Sequence, residues 1–440
     1  MQRTYEWITK TVAGELRGEA PIAPIEGASI DSRAITTGQL YIPIVGSKFD
    51  GHYFIEDAAI NGSTLALWQR DHKLPEELVM PLIIVDDTLK ALHQLAQAYR
   101  EEFNIPVLAI TGSNGKTTTK EIAAALLRTK YRVHANIGNL NNEYGLPLTL
   151  LSMPAETEIA VLELGMNHAG EIARLSNLAR PTIALITNIG EAHIEFLGSR
   201  EAIAAAKWEI VEGLGGERLL IYNEEEPLLC DLASKDSSYN YSTPSMTRGD
   251  WDFSTFSTKF PGRHNIKNAS LAILAAQALG VSSEEIGRGL ADVPTTYRRF
   301  VSCVAENGMQ VIDDTYNASP TSMRASIDAL MGVSFAGEKW ALLGDMYELG
   351  ERTEEFHRQV GSYAAQAGVT RLYTVGGQGE WIASGAKAVQ KIDKYCTIDH
   401  IETKEEAIAL FQREGHAGIM LLIKASRGLS LDDVVRPLLK

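Results

Sequence analysis

The residues with the most chemical potential form Gly112-Ser-Asn-Gly-Lys-Thr-Thr-Thr-Lys120, directly after the apolar run Ile105-Pro-Val-Leu-Ala-Ile110. Backbone N–H groups in such a turn can surround phosphate oxygens, and a helix opening there adds a favourable dipole. Gly112, Ser113, Asn114 and Gly115 are therefore cradle candidates, with Lys116 for the terminal phosphates of a nucleotide. The Thr117 hydroxyl suits the accompanying Mg2+, and Thr118 lies next to it in the first helical turn. A standard Walker A has a longer spacer, whereas only Ser113 and Asn114 separate Gly112 from Gly115 here. Strand, loop and helix still follow in the order that phosphate binding requires.

Two further groups sit where a parallel sheet would present them. Glu163 closes the run Ile159-Ala-Val-Leu162, and His193 follows Ile183-Ala-Leu-Ile-Thr-Asn-Ile-Gly190 by a few residues. Alone, Glu163 is either a satisfied strand-end carboxylate or a metal ligand, and His193 either a loop histidine or a ligand. Ligands collect beyond the carboxyl ends of such strands, so Thr117, Glu163 and His193 are expected at one sheet edge.

The rest of the chain must supply that edge. Its 440 residues are 45% apolar and 22% charged, the composition of a globular protein with several cores. No apolar run approaches the length of a membrane span, and the N-terminus lacks an apolar signal core. Cys230, Cys303 and Cys396 are few and far apart, against a disulfide framework, so the cytoplasm is the expected compartment. A net charge of −15 argues against nucleic acid as the main partner. The acidic run Asn223-Glu-Glu-Glu226 reads as a solvated turn ending at Pro227.

Alternating strand and helix patterns predict an α/β protein of three domains. Residues 1–102 form a small α/β domain, with short strands at Ile30–Arg33, Gly38–Gly46 and Leu82–Asp86 and a helix from Thr88 to Phe103. Residues 103–298 form a central parallel-sheet domain with strands at Val107–Thr111, Ile159–Leu164 and Ile183–Ile189. Residues 299–440 form a second, Rossmann-like domain with strands at Met309–Ile312, Lys339–Leu343, Arg371–Val375 and Gly418–Ile423. Its polar signatures, Asp313-Asp314, Gly344-Asp345 and Lys424-Ala-Ser-Arg427, also follow strands. That binding edge can face the first one.

The helix expected over Arg200–Leu214 carries a lysine on its apolar side. At about 100° per residue, Ile203, Lys207, Ile210 and Leu214 share one stripe, with Glu201, Glu209 and Glu212 opposite. Either the Lys207 stem packs while the ammonium escapes to water, or burial yields a neutral amine. A neutral amine can capture CO2 as a carbamate, an oxygen anion suited to hard cations.

Taken together these segments resemble the Mur ligase family of ATP-dependent peptidoglycan precursor enzymes. The resemblance runs along nearly the whole chain. It rests on the phosphate loop, Gly138-Asn-Leu-Asn-Asn-Glu-Tyr-Gly-Leu-Pro147, Glu163-Leu-Gly-Met-Asn167, Asn188-Ile-Gly-Glu-Ala-His-Ile-Glu195 and Gly262-Arg-His-Asn-Ile-Lys-Asn268. Asp314-Thr-Tyr-Asn-Ala-Ser-Pro-Thr-Ser-Met323 and Leu343-Gly-Asp-Met-Tyr-Glu-Leu-Gly350 resemble the branch that adds D-alanyl-D-alanine to UDP-N-acetylmuramoyl-tripeptide.

The resemblance implies an N-terminal UDP-substrate domain, a central ATPase domain and a C-terminal domain that closes over the site. It implies a monomer that takes small-molecule substrates, with no nucleic acid and no membrane insertion. ATP and two Mg2+ are implied, with Thr117 and Glu163 on one cation. His193 and a carbamylated Lys207 would hold the other, although Mg2+ ordinarily prefers oxygen to imidazole. Ser32, Arg33, Ser47 and Lys48 match positions that hold uridine diphosphate, a surface turn being the plainer account of the last two. Asn139, Asn141 and Asn142 fall in the substrate stretch and Asn268 on the adenine side. Asp314, Asn317, Lys424, Ser426 and Arg427 either contact dipeptide or nucleotide on closure, or are caps and strand-end hydrogen bonders.

Two departures stand out. Trp208 follows the lysine where relatives commonly carry glycine, and the expected Gly-x-Arg junction appears as Tyr297-Arg298-Arg299-Phe300. Spacing to the Asp314 motif favours Arg299 as the arginine that meets ATP. A different Mur-type ligase, third-residue-adding or folylpolyglutamate-like, is the neighbouring alternative, and a P-loop switch or kinase the more distant one.

Overall fold

The computed structural model describes every residue except 47, 217, 245–250, 252, 296–297, 390–395 and 440. Three of the four sheets, each of five or six strands, organise the described residues into three α/β domains, as expected. In the N-terminal sheet, β1 (Glu15–Arg17), β2 (Ala28–Ser29), β3 (Leu40–Tyr41), β4 (Leu65–Gln69) and β5 (Leu82–Val85) lie in the order β1-β5-β4-β3-β2. Only the β1–β5 pair is antiparallel. Helix α1 (Thr88–Glu101) starts where Asp87 accepts a hydrogen bond from the Lys90 N–H, and buries Leu92, Leu95 and Tyr99.

Two strands expected here are shorter or absent. Ile30–Arg33 is not a strand, because the Asp31 carboxylate accepts from the Arg33 N–H and turns the chain into a 3-10 helix at Ser32–Ala34. Of Gly38–Gly46 only Leu40–Tyr41 joins the sheet; Pro43 has no N–H to extend the ladder.

The central sheet contains β6 (Val107–Thr111), β7 (Val133–Ala135), β8 (Ile159–Glu163), β9 (Ile183–Ile186), β10 (Leu219–Tyr222) and β11 (Asn240–Ser242). Their order is β11-β10-β9-β6-β8-β7, all parallel. All five residues of β6 are buried, and each large apolar side chain so enclosed contributes about 1.5–3 kcal/mol. The chain leaves β6 through α2 (Lys116–Arg128) to one flank and reaches β9 on the other, so β6 marks the point where strand order reverses. Helix α3 (Glu171–Ala179) follows β8.

Helix α4 (Arg200–Trp208) begins at an N-cap Ser199 and gives way to a 3-10 turn over Glu209–Gly213, short of the single helix expected. The tightening has a local cause. Glu209 does not face solvent with Glu201 and Glu212 but accepts from the Gly170 and Ala173 N–H groups, capping α3. The acidic run 223–226 likewise departs from expectation, because Glu226 is buried and bonded to Arg200 at 3.0 Å. Helix α5 (Arg263–Ala278) packs on α2 and carries Asn268 toward the phosphate loop.

The C-terminal sheet orders β12 (Val301–Val304), β13 (Gln310–Asp313), β14 (Glu338–Gly344), β15 (Arg371–Val375), β16 (Thr397–Ile401) and β17 (Ile419–Lys424) as β12-β13-β17-β14-β15-β16. Only β12 runs antiparallel, to β13. Helices α6 (Pro320–Gly332) and α7 (Thr353–Ala367) cover one face, α6 starting at a Ser319 cap with proline in its first turn. No described helix is long and apolar enough to cross a membrane.

Candidate active site

The loop after β6 is held in shape before any ligand contact is considered. The Ser113 N–H donates to the Asn188 carbonyl at 2.9 Å and the Asn114 N–H to Asn188 Oδ1 at 3.0 Å. Gly112 has a φ of +148°, and a Cβ there would lie 1.9 Å from Thr187 Oγ1. Gly115, at +79°, passes so close to Asn268 that a Cβ would lie 2.6 Å from Oδ1. Only glycine satisfies both positions. Lys116 Nζ donates to the Gly112 carbonyl at 2.7 Å. Burial lowers its pKa, Glu163 opposes that shift and Arg299 adds to it.

Glu163 stands at the end of β8, beside the loop. Its Oε2 accepts from Thr117 Oγ1 at 2.8 Å and its Oε1 from Asn141 Nδ2 at 2.7 Å. Its backbone is fixed too: Asn136 Oδ1 accepts from the Glu163 N–H at 2.7 Å, and Asn136 Nδ2 donates to the Glu163 carbonyl at 2.9 Å. Fully buried Lys120, on α2, donates in turn to the Asn136 carbonyl at 2.6 Å. Sequence reading missed both Asn136 and Lys120; Lys120 stood within the quoted motif, but nothing local marked its partner.

His193 lines the same cavity and has a left-handed backbone, φ +65°. Its Nδ1 lies 2.7 Å from Glu348 Oε2, and the imidazole holds that carboxyl below its ordinary pKa. Lys207 occupies the apolar stripe as expected, but it does not snorkel: the residue is 1% exposed. Among the described residues no carboxylate pairs with it. Its pKa falls well below the ordinary lysine value, chiefly through burial and then through repulsion by Lys116. Lys207 is not among the side chains lining the cavity.

The C-terminal domain closes the remaining side. Arg299 Nη2 donates to Thr117 Oγ1 at 3.0 Å, and its guanidinium stacks 4.0 Å from the Tyr316 ring centroid. Arg298 instead turns away to Asp432 at 2.6 Å. Asp314 accepts from Lys424 Nζ at 2.7 Å, from Ser326 Oγ and from the Phe300 N–H. Lys424 also donates to the Asn317 carbonyl, tying β17 to the Asp314 loop. Ser426 holds the Tyr347 N–H, and Arg427 lies 5.9 Å from the Tyr316 ring.

A cavity of about 510 Å3 separates the two domains. Ser113 to Thr118, Asn139, Asn141, Asn142, Glu163 and His193 line it from the central domain with Asn268. Arg299, Asp314, Asn317 and Lys424 line it from the C-terminal one. Asn142 Oδ1 also accepts from the Tyr144 and Gly145 N–H groups, in the turn that leads into the next helix. Gly112, Lys207, Ser426 and Arg427 stand outside the lining. Across the gap Ser319 donates to Asn114, while Glu191 accepts from Thr321 and Arg324. Sequence reading missed Glu191, Tyr316 and Thr321 as individual contacts; the Glu191–Thr321 pair spans 130 positions and leaves no periodic signal.

The N-terminal candidates lie elsewhere. Ser32 is buried in its 3-10 turn, Arg33 is exposed and paired with Asp31, and Lys48 is exposed. Ser47 lies outside the described residues, as does Tyr297. Asp50, His52 and His72 bring possible metal donors together. They form a closed hydrogen-bond network instead. His52 Nε2 accepts from the Gln69 N–H, so Nδ1 carries the proton it gives to Asp50 and has no lone pair for a cation.

The main cavity fits an anionic nucleotide on its own geometry. Ser113 Oγ and Asn114 Nδ2 are buried without a hydrogen-bond partner among the described residues, polar atoms that phosphate oxygens would satisfy. Thr117 and Glu163 offer adjoining oxygens of the kind Mg2+ takes. Family models match in register with the three domains: "Mur ligase family, catalytic domain" at residues 24–100, "Mur ligase middle domain" at 110–276 and "Mur ligase, glutamate ligase domain" at 298–427. A Bacillus subtilis protein named UDP-N-acetylmuramoyl-tripeptide--D-alanyl-D-alanine ligase is 40% identical over all of this chain and 99% of its own. The crystal structure of MurF from Acinetobacter baumannii superimposes with TM-score 0.87 at 29% identity, covering 100% of this chain and 99% of that one. MurF ligase from Thermotoga maritima, solved with ADP, gives 0.78 at 28% identity over 94% and 97%. With a loop shaped for phosphates facing the C-terminal domain, and relatives matching end to end, this chain belongs to the Mur ligase family.

Proposed function

We propose that the chain joins D-alanyl-D-alanine to UDP-N-acetylmuramoyl-tripeptide with ATP, in the cytoplasm, through an acyl phosphate. The observation that carries this reading is the convergence of Lys116, Thr117, Glu163 and Arg299 on one cavity between two domains. The tripeptide carboxylate attacks the γ-phosphorus, ADP leaves, and the dipeptide amine then displaces phosphate from the acyl carbon. Negative oxygens crowd together in both steps, so Lys116 and Arg299 supply fixed positive charge in a partly dry site. Mg2+, held by Thr117 and Glu163 with a second ion at His193, would add charge neutralisation there. Burial leaves Lys207 suited to a CO2-derived carbamate, the oxygen donor this second site needs.

Within this reading, residues 1–102 take the UDP end through Ser32, Arg33, Ser47 and Lys48. Residues 103–298 bind ATP, with Asn268 on the adenine side, and residues 299–440 close to exclude water from the acyl phosphate. Asn139, Asn141 and Asn142 meet the peptidyl substrate, and Asn317, Lys424, Ser426 and Arg427 serve the incoming dipeptide. Incubation with ATP, Mg2+ and both substrates should give the UDP-linked pentapeptide by mass, with one phosphate per product. Phosphate release that needs only one of the two substrates overturns the reading. Product from a single amino acid in place of the dipeptide would indicate the third-residue or folylpolyglutamate type instead.

A further inference from the structure

The contact between His193 and Glu348 joins the central domain to the C-terminal one. Beside the 2.7 Å approach of Nδ1 to Oε2, an ion-pair contact that lies off the ring N–H direction so that Nδ1 makes no hydrogen bond in this arrangement, the Glu348 carbonyl accepts from the Glu195 N–H at 3.1 Å. Both partners have left-handed backbones, φ +65° at His193 and +63° at Glu348. Neither is glycine, so the chain holds strain on both sides of one contact. The loop that presents Glu348 is rigid. Its Met346 N–H donates to His357 Nε2 and its Tyr347 N–H to Ser426 Oγ, each at 2.9 Å. A Cβ on Gly350 would lie 3.4 Å from Glu195 Cα, so the two loops are closely apposed.

Histidines that hold metals almost always engage a carboxylate, carbonyl or water through the other ring nitrogen, which fixes the ring and raises its basicity. We propose that Glu348 is a positioning residue that takes the His193 Nδ1–H once a cation orients the ring, so that only Nε2 is offered to the cavity cation. Because Glu348 comes from the C-terminal domain, domain closure and cation affinity are coupled. Coupling of this kind is reciprocal: the closed arrangement tightens cation binding, and the cation favours closure to the same extent. The inference rests on the proposed role of His193 as a ligand.

The test uses Mn2+ as the probe, titrated by electron paramagnetic resonance into full-length protein saturated with ADP. The parent is compared with Glu348→Ala, Glu348→Gln, His193→Ala and Arg324→Ala. Glu348→Ala is expected to weaken Mn2+ at this site about 10- to 100-fold, with Glu348→Gln recovering part through its amide oxygen. Arg324→Ala loosens the same interface without touching the imidazole, and should cost at most about fivefold, the worth of a partly exposed ion pair. If Glu348→Ala binds like the parent while His193→Ala is weakened, the positioning role is wrong and the ligand reading stands. If His193→Ala binds like the parent, both fail. Equal losses in Arg324→Ala and Glu348→Ala would reduce Glu348 to a clamp and overturn the proposal.

Discussion

Replacing Gly112 with alanine tests whether the phosphate loop acts through its backbone shape. The φ of +148° is one that L side chains rarely adopt, and holding a non-glycine residue there costs about 1–3 kcal/mol. The new Cβ would also lie 1.9 Å from Thr187 Oγ1, an overlap whose relief costs a further ~1–3 kcal/mol. The loop would relax elsewhere, and nucleotide would have to restore it. ADP affinity should therefore fall between about 30-fold and 10^4-fold, at roughly 1.4 kcal/mol per decade. The two contributions can be separated. Thr187→Ala removes the offending oxygen and leaves the nearest remaining atoms about 3.1 Å away, at the loss of its own bond to the Asn114 carbonyl. Alone it should cost about 1 kcal/mol. In Gly112→Ala/Thr187→Ala the overlap term is relieved, so the double variant should bind ADP more tightly than Gly112→Ala. Isothermal titration over the four proteins measures the coupling directly. Unaltered ADP binding by Gly112→Ala, or additive losses in the pair, would refute the argument that backbone shape sets phosphate affinity.

Other perturbations probe the buried charges. Lys207→Ala should abolish ligation while leaving ADP binding within about threefold, and short carboxylates such as acetate should restore part of the rate by supplying the lost oxygen donor; full activity without additive would contradict the carbamate role. In CO2-free buffer, folded Lys207 holds its proton less tightly than the unfolded chain does. Stability should thus rise with pH from the lowered folded pKa up to the ordinary lysine value, by at most ~1.4 kcal/mol per unit. Lys207→Met should flatten that slope, as read from urea midpoints of the central domain across pH. Lys424→Met leaves the buried Asp314 carboxylate with its Ser326 Oγ and Phe300 N–H bonds but without its paired cation, and should destabilise the C-terminal domain by about 3–5 kcal/mol. Adding Asp314→Asn should return much of that loss, and an unchanged midpoint in Lys424→Met would count against the pair.

What could be read from the chain followed from periodicity. Arg371–Val375 has the bounds expected of it, because a strand buried on both faces reads as one short, mostly apolar run. The Lys207 stripe was equally legible, since a charge among Ile203, Ile210 and Leu214 is visible without any partner. The misreadings had local polar causes: Asp31 capping a 3-10 turn, Glu209 reaching back to α3, and Glu226 pairing with Arg200. Polar bonds of this sort override the apolar pattern, and the partners of Glu209 and Glu226 lie 39 and 26 positions away, outside any short window. The site divided along the same line. Motif residues could be named from the sequence, whereas Asn136, Glu191 and Glu348 act only through contacts that folding creates.

The bond from Lys120 to Asn136 gives the two halves of the phosphate site a common datum. Lys116, Thr117 and Lys120 ride on one helix, and Asn136 passes the reference on to the main chain of Glu163. Thermal drift of the strand against the helix would otherwise appear as error in the gap between hydroxyl and carboxylate. Tied this way, that gap is insulated from the sway of the neighbouring domains, and the loops around it can be rewritten without recalibrating it.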